Sequence, residues 1–325
     1  MIYFLAHGAT LALAWFLAMN IALSALAVVA AREAGARRFG RSSALPFVLR
    51  LFPATASAAF VVGVFVPSYW RFEPREFVEG FDVTLTIFAA GAALLLIGSC
   101  ARGAIAWWRA AARARTWTET AEPLGLEGVG IPAFRIDAPQ PVMALVGILR
   151  PRLLVTRGLI DALTPEELAA SLAHEVCHHR AWDNLKRLAM LGAPDVLRWT
   201  PAARRLEHEW VTCAEHGADA AATNPSGRTA RLALASALVK VARLMPTQPR
   251  IAEPISTLIG GGEIAARVEW LIDDGPEPAA SRRQRVVWAA RGTAAVAAAT
   301  TLAYGYAPLL DIVHTATEIL VNRLP

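Results

Sequence analysis

The chain has 325 residues, of which 55% are hydrophobic and 18% are charged, a more apolar composition than a soluble protein of this length usually has. The net charge of +5 comes largely from arginines beside long apolar runs, so we expect a lipid bilayer as partner and no direct nucleic-acid binding. The three cysteines, Cys100, Cys177 and Cys213, show no paired spacing, which argues against a disulfide framework and favours a reducing compartment.

Three apolar runs in the first third of the chain predict transmembrane helices, at about residues 2–31, 51–67 and 83–101. Arginines are concentrated after the first run, near residue 37, and after the third, near residue 110. Because basic loops remain in the cytoplasm, both of these ends are expected inside and the N-terminus outside. The segment that follows the third run is then cytoplasmic.

A fourth uncharged run, from Gly292 to Leu310, follows a group of arginines and predicts a last span, with the tail from Asp311 as a short stub outside. We therefore divide the chain into three transmembrane helices in residues 1–109, a cytosolic domain in 110–285, and the fourth helix with its tail in 286–325. The predicted fold class is mainly α: four transmembrane helices, three before and one after, around a cytosolic α+β domain.

The cytosolic domain contains β-rich runs around 142–148 and 153–156, which predict a pair of strands. We expect an extended substrate to add to the first of these as an extra edge strand. A helix is predicted from Thr164 to Asp183, with Thr164 as N-cap, Pro165 at the first position and Glu167 completing a capping box. Further helices are predicted at residues 201–222, 229–245 and 262–272.

The helix after Thr164 carries the motif His174-Glu175-Val176-Cys177-His178. Residues four apart lie one above the other on a helix, so the two imidazoles can bind a single Zn²⁺ ion. Glu175 lies beside the first histidine, where a carboxylate suits a general base that takes a proton from water. The motif therefore predicts a catalytic zinc site.

A catalytic zinc site of this type needs one more protein ligand. The helix at 201–222 offers Glu215 and Asp219, which lie four apart on one face. Glu215 is the favoured metal ligand, with Asp219 orienting a ligand imidazole behind it. His208 and His216 on the same helix are rival ligands, because imidazole also binds zinc well.

Three segments carry a resemblance to a known family: GILRPRLLVTRGLIDALTPEELAASLAHEVCHHRAWDNLKR, then CAEHGADAAA, then the Arg267-Val-Glu-Trp-Leu helix. They resemble the integral-membrane zinc metallopeptidases of the β-lactam sensor-transducer (BlaR/MecR-like) antirepressor family, as does the arrangement of three spans, a cytosolic peptidase domain and a fourth span. The CaaX-prenyl-protease and HtpX-like gluzincins share the Glu-x-x-x-Asp helix but place their spans differently.

The resemblance implies a gluzincin-like fold, with His174, His178 and Glu215 as zinc ligands, Glu175 as general base and Asp219 as their support. It also implies a multi-pass protein of the bacterial inner (cytoplasmic) membrane. Because only about fifteen residues follow the fourth run, we expect no penicillin-binding sensor domain and no antibiotic sensing. A cytosolic transcriptional repressor is a partner carried over from the family.

The predicted function is zinc-dependent endopeptidase cleavage of a protein or peptide substrate on the cytoplasmic face, in regulatory signalling by cleavage of a repressor or of the chain itself. One alternative is a membrane scaffold or receptor with a structural zinc site. Glu175 argues against it, since a closed structural site needs no acid beside its first ligand. A second alternative is a housekeeping HtpX-like membrane protease.

Overall fold

A computed structural model describes residues 1–36, 43–75, 82–119, 121–125, 130–138, 142–223, 227–244, 256–257, 264–273 and 305–322. Most of these residues are helical, around one small sheet. The helices in the first third of the chain are α1 (Ile2–Ala36), α2 (Ala44–Phe60), α3 (Val66–Phe72) and α4 (Val83–Thr118). The strands are β1 (Glu122–Pro123), β2 (Ala133–Ile136), β3 (Met143–Val146), β4 (Arg152–Thr156) and β5 (Ser256–Thr257). The remaining helices are α5 (Arg157–Ala162), α6 (Pro165–Arg180), α7 (Asp183–Gly192), α8 (Pro201–Thr223), α9 (Gly227–Leu244), α10 (Ile264–Ile272) and α11 (305–322).

Three helical segments are long and apolar enough to cross a membrane: Ile2–Glu33, Ala44–Phe72 and Val83–Thr118. The second joins α2 to α3 through a π-helical turn at Val61–Phe65. Large apolar side chains on these segments face outward, among them Leu26, 56% exposed, and Leu94, 72% exposed. Outward leucines on long apolar helices are what a lipid environment favours. All three predicted spans are therefore present as helices, each longer than predicted.

The predicted fourth span lies mostly outside the described residues, which resume at residue 305. The tail predicted to be a short outer stub is helical to residue 322 and packs against α1 and α3. Trp15 Nε1 donates a hydrogen bond to Thr317 Oγ1 at 3.1 Å, and Ser68 Oγ donates one to the Leu310 carbonyl at 2.6 Å.

The sheet has the strand order β1-β2-β4-β3-β5. The predicted strand pair is present as β3 and β4, which run antiparallel, while β2 pairs with β4 in parallel. The edge of β3 that we expected to receive substrate is not free, because β5 pairs with Ala144 and Leu145 there. A segment of the chain itself thus occupies that edge, and the prediction that substrate adds there is wrong for the described arrangement.

The sheet is covered on both sides, which is why every residue of β3 is buried. On one side Met143, Leu153 and Leu234 belong to a core shared with the domain helices. On the other side Ala144 and Leu154 pack with Ala110 of α4, since α4 continues beyond the predicted span into the domain. The third candidate membrane helix is therefore also a structural part of the domain that contains the sheet.

Helix α6 begins as predicted. The Thr164 hydroxyl accepts from the Glu167 N–H at 3.3 Å, and the Glu167 carboxylate accepts from the Thr164 N–H at 2.8 Å. The predicted helix end at Asp183 is wrong, because the helix ends at Arg180. Trp182 takes a left-handed backbone conformation with φ of 59°, and Asp183 opens a new helix, α7.

A buried arginine joins the second membrane segment to the domain. The Arg50 guanidinium on α2 lies 2.8 Å from Asp195 and 2.7 Å from Glu207, and it donates to the Met190 carbonyl at 3.0 Å. Glu207 belongs to α8, the helix that also carries Glu215. The contact therefore fixes the position of α8 relative to α2.

Replacing Arg50 with methionine is expected to destabilise the protein by about 3–5 kcal/mol, because the buried Asp195 carboxylate loses its charged partner. The measurement is the free energy of unfolding of the detergent-solubilised chain, with Arg109→Met as control because Arg109 is exposed. Equal stability of the two variants would show that the Arg50 contacts contribute nothing.

Candidate metal centre

The two motif histidines converge as their spacing predicts. His174 is 0% exposed and His178 is 1% exposed, and their Nε2 atoms lie 3.0 Å apart. Both rings thus point the same nitrogen at one common position inside the domain.

Each imidazole is held from behind by a carboxylate. The Nδ1 of His174 lies 2.8 Å from Asp219 Oδ1, and the Nδ1 of His178 lies 2.8 Å from Asp183 Oδ2. A carboxylate at Nδ1 fixes the tautomer that leaves Nε2 free for a metal ion. This arrangement is the usual environment of a metal-binding histidine.

Glu215 completes the group. Its carboxylate oxygens lie 3.5 Å from the Nε2 of His174 and 3.7 Å from that of His178. Ligand atoms of a tetrahedral zinc ion with bonds of 2.0–2.1 Å are about 3.3 Å apart. The three ligand atoms, all buried, therefore have the chemistry and spacing to hold one zinc ion.

Glu175 lies next to this group and is fully buried. Neither of its carboxylate oxygens has a hydrogen-bond partner among the described residues. Burial raises the pKa of the Glu175 carboxyl, although the two imidazoles lower it. Buried carboxylates without partners are rare because they are costly, so this one points to a functional role.

Arg267 on α10 binds two acids of α8, the ligand Glu215 and the supporting Asp219. Its guanidinium donates to the two Asp219 oxygens at 2.8 and 2.6 Å and lies 3.0 Å from Glu215. Although burial by itself raises the pKa of Glu215, His178 and Arg267 hold it well below its usual value. Glu215 therefore remains a carboxylate inside the protein.

The protonation of His178 depends on the same carboxylates. Burial by itself lowers the pKa of His178, but Glu215 and Asp183 outweigh it and raise the pKa to about 10. A metal ion binds the deprotonated ring nitrogen, so ion and proton compete for Nε2.

The rival ligands lie outside this group. His208 is exposed, and His216 packs edge-on against Trp270 at 5.4 Å. Glu207 on the same helix pairs with Arg50 and also lies outside the group. Among the described residues of α8, Glu215 alone joins the two motif histidines.

The sequence did not reveal two supporting residues. Asp183 was predicted to end the metal helix, and only the break at Trp182 brings it back to His178. Arg267 lies in one of the segments that carry the family resemblance, but no role was predicted for it, because Asp219 is 48 residues away along the chain. The signal that could have indicated this role is the presence of a cation, Arg267, in that segment of a domain where Glu215 and Asp219 both need a positive partner.

Replacing Asp183 with asparagine is expected to weaken zinc binding by about 10- to 100-fold, because the amide no longer enforces the correct tautomer of His178. Competition with a chelating dye measures this affinity. Asp161→Asn is the control, since Asp161 is an exposed acid of the same domain. Equal affinity in both variants would contradict the assigned role.

Replacing Arg267 with methionine is expected to cost about 3–5 kcal/mol in stability, because two buried carboxylates lose their cation. Chemical denaturation of the metal-free chain measures the loss without interference from zinc. Arg228→Met, at an exposed position, should leave the stability unchanged. A neutral effect of Arg267→Met would mean that these acids are paired in another way.

Comparison with known proteins supports the general chemistry of this centre. Residues 108–245 match the model for peptidase family M48. The matched segment contains His174, Glu175, His178, Glu215 and Asp219 and is less than half of the chain. This segment is therefore similar to zinc metallopeptidases, and the finer resemblance to β-lactam sensor-transducers stays a prediction. No curated protein matches the chain.

Proposed function

We propose that the protein is an integral-membrane zinc endopeptidase that cleaves protein substrates on the cytoplasmic face. The observation that carries this proposal is the buried group of His174, His178 and Glu215 beside Glu175. The first three residues would hold the ion. When bound, zinc supplies a Lewis acid that polarises the scissile carbonyl and makes water more acidic.

Glu175 is assigned as the general base and acid. Its carboxylate takes a proton from the attacking water as the new bond from oxygen to the carbonyl carbon forms. It then gives that proton to the amine nitrogen as the carbon–nitrogen bond breaks. Burial, which raises the pKa of this carboxyl, helps it to hold the proton between the two steps.

Arg187 is assigned to stabilise the negative charge that develops on the carbonyl oxygen. Its Nη2 lies 3.9 Å from Glu215, and its buried Nε has no hydrogen-bond partner among the residues that the structure describes. Arg267 is less suited, because Asp219 and Glu215 already bind its guanidinium. Arg187 therefore has donor capacity left for a substrate.

A structural zinc site is the weaker interpretation. Such sites normally have four protein ligands, whereas the group found in the described part of the chain has three. A structural site would also give no reason to bury Glu175 beside the ligands. Three ligand residues beside a buried acid favour hydrolysis.

The attachment of the domain to the membrane helices bears on the substrate. Arg50 and Asn20 both bind the 194–196 loop, which keeps the centre close to the bilayer. We therefore propose that substrates are cytoplasmic proteins or cytoplasmic tails that reach the membrane surface. Cleavage of a repressor or of the chain itself belongs to this class and would make the role regulatory.

The test is a comparison of new protein N-termini in cells that express the wild type or Glu175→Gln. The proposal expects a limited set of cytoplasmic termini that only the wild type produces. A few regulatory substrates would support signalling, whereas many unrelated membrane proteins would support the HtpX-like housekeeping role. Identical sets of termini in both cultures would contradict peptidase activity.

A further inference from the structure

A second group of possible metal ligands lies at the other end of the membrane bundle. It consists of Glu73, His314 and Glu318, each half-buried, whose ligand atoms lie within 4.8 Å of one another. Glu73 directly follows α3, while His314 and Glu318 belong to α11. The group shares no residue with the centre described above.

The ligands of this group are distributed over two elements, as in the first centre. His314 and Glu318 lie four apart on one helix and so share a face, and Glu73 comes from a separate element. The backbone N–H of Glu73 still donates to the Tyr69 carbonyl at 3.0 Å, which fixes its position at the end of α3. Two ligands from one turn and a third from another segment form a typical metal-binding pattern.

Packing holds the two elements in place around this group. The buried Ser68 hydroxyl bonds to the Leu310 carbonyl, one turn before His314, and Trp15 bonds to Thr317, which precedes Glu318. The His314 ring stacks on Phe72 with 5.4 Å between ring centroids and 25° between planes. The ligand-bearing face of α11 is therefore oriented toward Glu73 by contacts that involve no charge.

The separation of the side chains favours an ion between them over a direct bond. His314 Nδ1 and Glu73 Oε2 lie 3.9 Å apart, beyond the 2.7–3.2 Å of a hydrogen bond. Ligand atoms around zinc are about 3.3 Å apart, so small rotations of these side chains would complete the coordination. A divalent cation between the side chains would attract both carboxylates.

The location places this group far from the peptidase centre. Arg50, which contacts the domain, and Glu73 are separated by 23 residues along one continuous helical segment, or about 35 Å at 1.5 Å per residue. This distance is enough to cross the hydrocarbon core of a bilayer, which is about 30 Å thick. The two groups thus lie at opposite ends of a membrane-spanning segment.

We propose that Glu73, His314 and Glu318 bind a divalent transition-metal ion of the zinc class, on the opposite side of the membrane from the peptidase centre. One imidazole and two carboxylates are the mixed donor set that such ions accept. The bound ion joins α11 to the end of α3. It allows the availability of metal outside the cytoplasm to stabilise the C-terminal helix.

The test is zinc stoichiometry of the detergent-solubilised full chain, with metal removed and zinc then added. The wild type should bind two ions and Glu318→Gln one. Asp311→Asn, which removes an exposed acid from the same helix, should still bind two. Zinc should also slow hydrogen exchange of residues 305–322 in the wild type and not in Glu318→Gln.

Variants of the first centre separate the two proposals. His178→Gln should bind one ion, and His178→Gln with Glu318→Gln none. A wild type that binds one ion, lost in His178→Gln and kept in Glu318→Gln, would overturn the second site and leave the peptidase intact. One ion that is lost only in Glu318→Gln would support the second site and contradict the peptidase centre. Equal zinc content in Glu318→Gln and Asp311→Asn would show that the Glu73, His314 and Glu318 group binds no metal ion.

Discussion

Replacing Glu175 with glutamine is expected to lower peptide-bond cleavage by about 100- to 10,000-fold, the range that a general base contributes. The amide has nearly the shape of the carboxyl group but cannot take a proton from water. Because Glu175 does not belong to the group of three ligand atoms, zinc content should be unchanged. Turnover of a peptide library and zinc content of the same sample measure the two effects together.

Glu166→Gln is the matched control for this variant. Glu166 is an exposed acid in the first turn of the same helix, so its replacement should leave both turnover and zinc content at wild-type values. Wild-type turnover in Glu175→Gln, with zinc present, would remove Glu175 from the mechanism and favour a binding role for the site.

The second large effect is expected from Glu215→Gln. Three side chains share the binding of the ion, and structural zinc sites contribute about 10–16 kcal/mol through four ligands. Loss of one charged ligand should thus weaken binding by roughly 100- to 1,000-fold. Activity at limiting zinc should fall by the same factor, because the same ion is needed for both.

Zinc affinity by competition with a chelator, followed by activity across a zinc titration, measures this loss. Glu209→Gln is the control, since Glu209 is a half-buried acid on the same helix. Excess zinc should partly restore Glu215→Gln and should have no influence on the loss in Glu175→Gln. If Glu215→Gln binds zinc with wild-type affinity, Glu215 is not the third ligand and His208 or His216 becomes the candidate.

The parts of the site that the sequence predicted are those set by local geometry. His174 and His178 meet because they are one helical turn apart, and the capping box at Thr164 depends on residues three apart. Glu215 was favoured by its spacing to Asp219, but His208 and His216 stayed open. Only the packing of α8 against α6 distinguishes them, and that packing depends on the whole domain.

The residues that the sequence did not assign depend on breaks and long-range contacts. Asp183 reaches His178 because the chain turns at Trp182, and a left-handed tryptophan has no local signal. Arg267 reaches Asp219 from a helix far along the chain. The β5 segment that covers β3 is two residues long, too short to be predicted from any periodic pattern.

The membrane segments, too, were predicted from the sequence only in part. Their apolar length was sufficient to predict three crossings. It did not predict that α4 continues through its arginines to Thr118 and packs against the sheet. Apolar runs report where a helix meets lipid, whereas the helix itself ends where its hydrogen bonds and packing end.

The position of the bound ion tests the account most directly. Anomalous diffraction at the zinc edge, on crystals of the zinc-loaded chain, should give a peak within about 2.0–2.1 Å of the Nε2 atoms of His174 and His178 and of a Glu215 oxygen. Glu175 should remain outside bonding distance. Zinc-loaded crystals without a peak between these three side chains, or with a peak held by other residues, would contradict the metal centre.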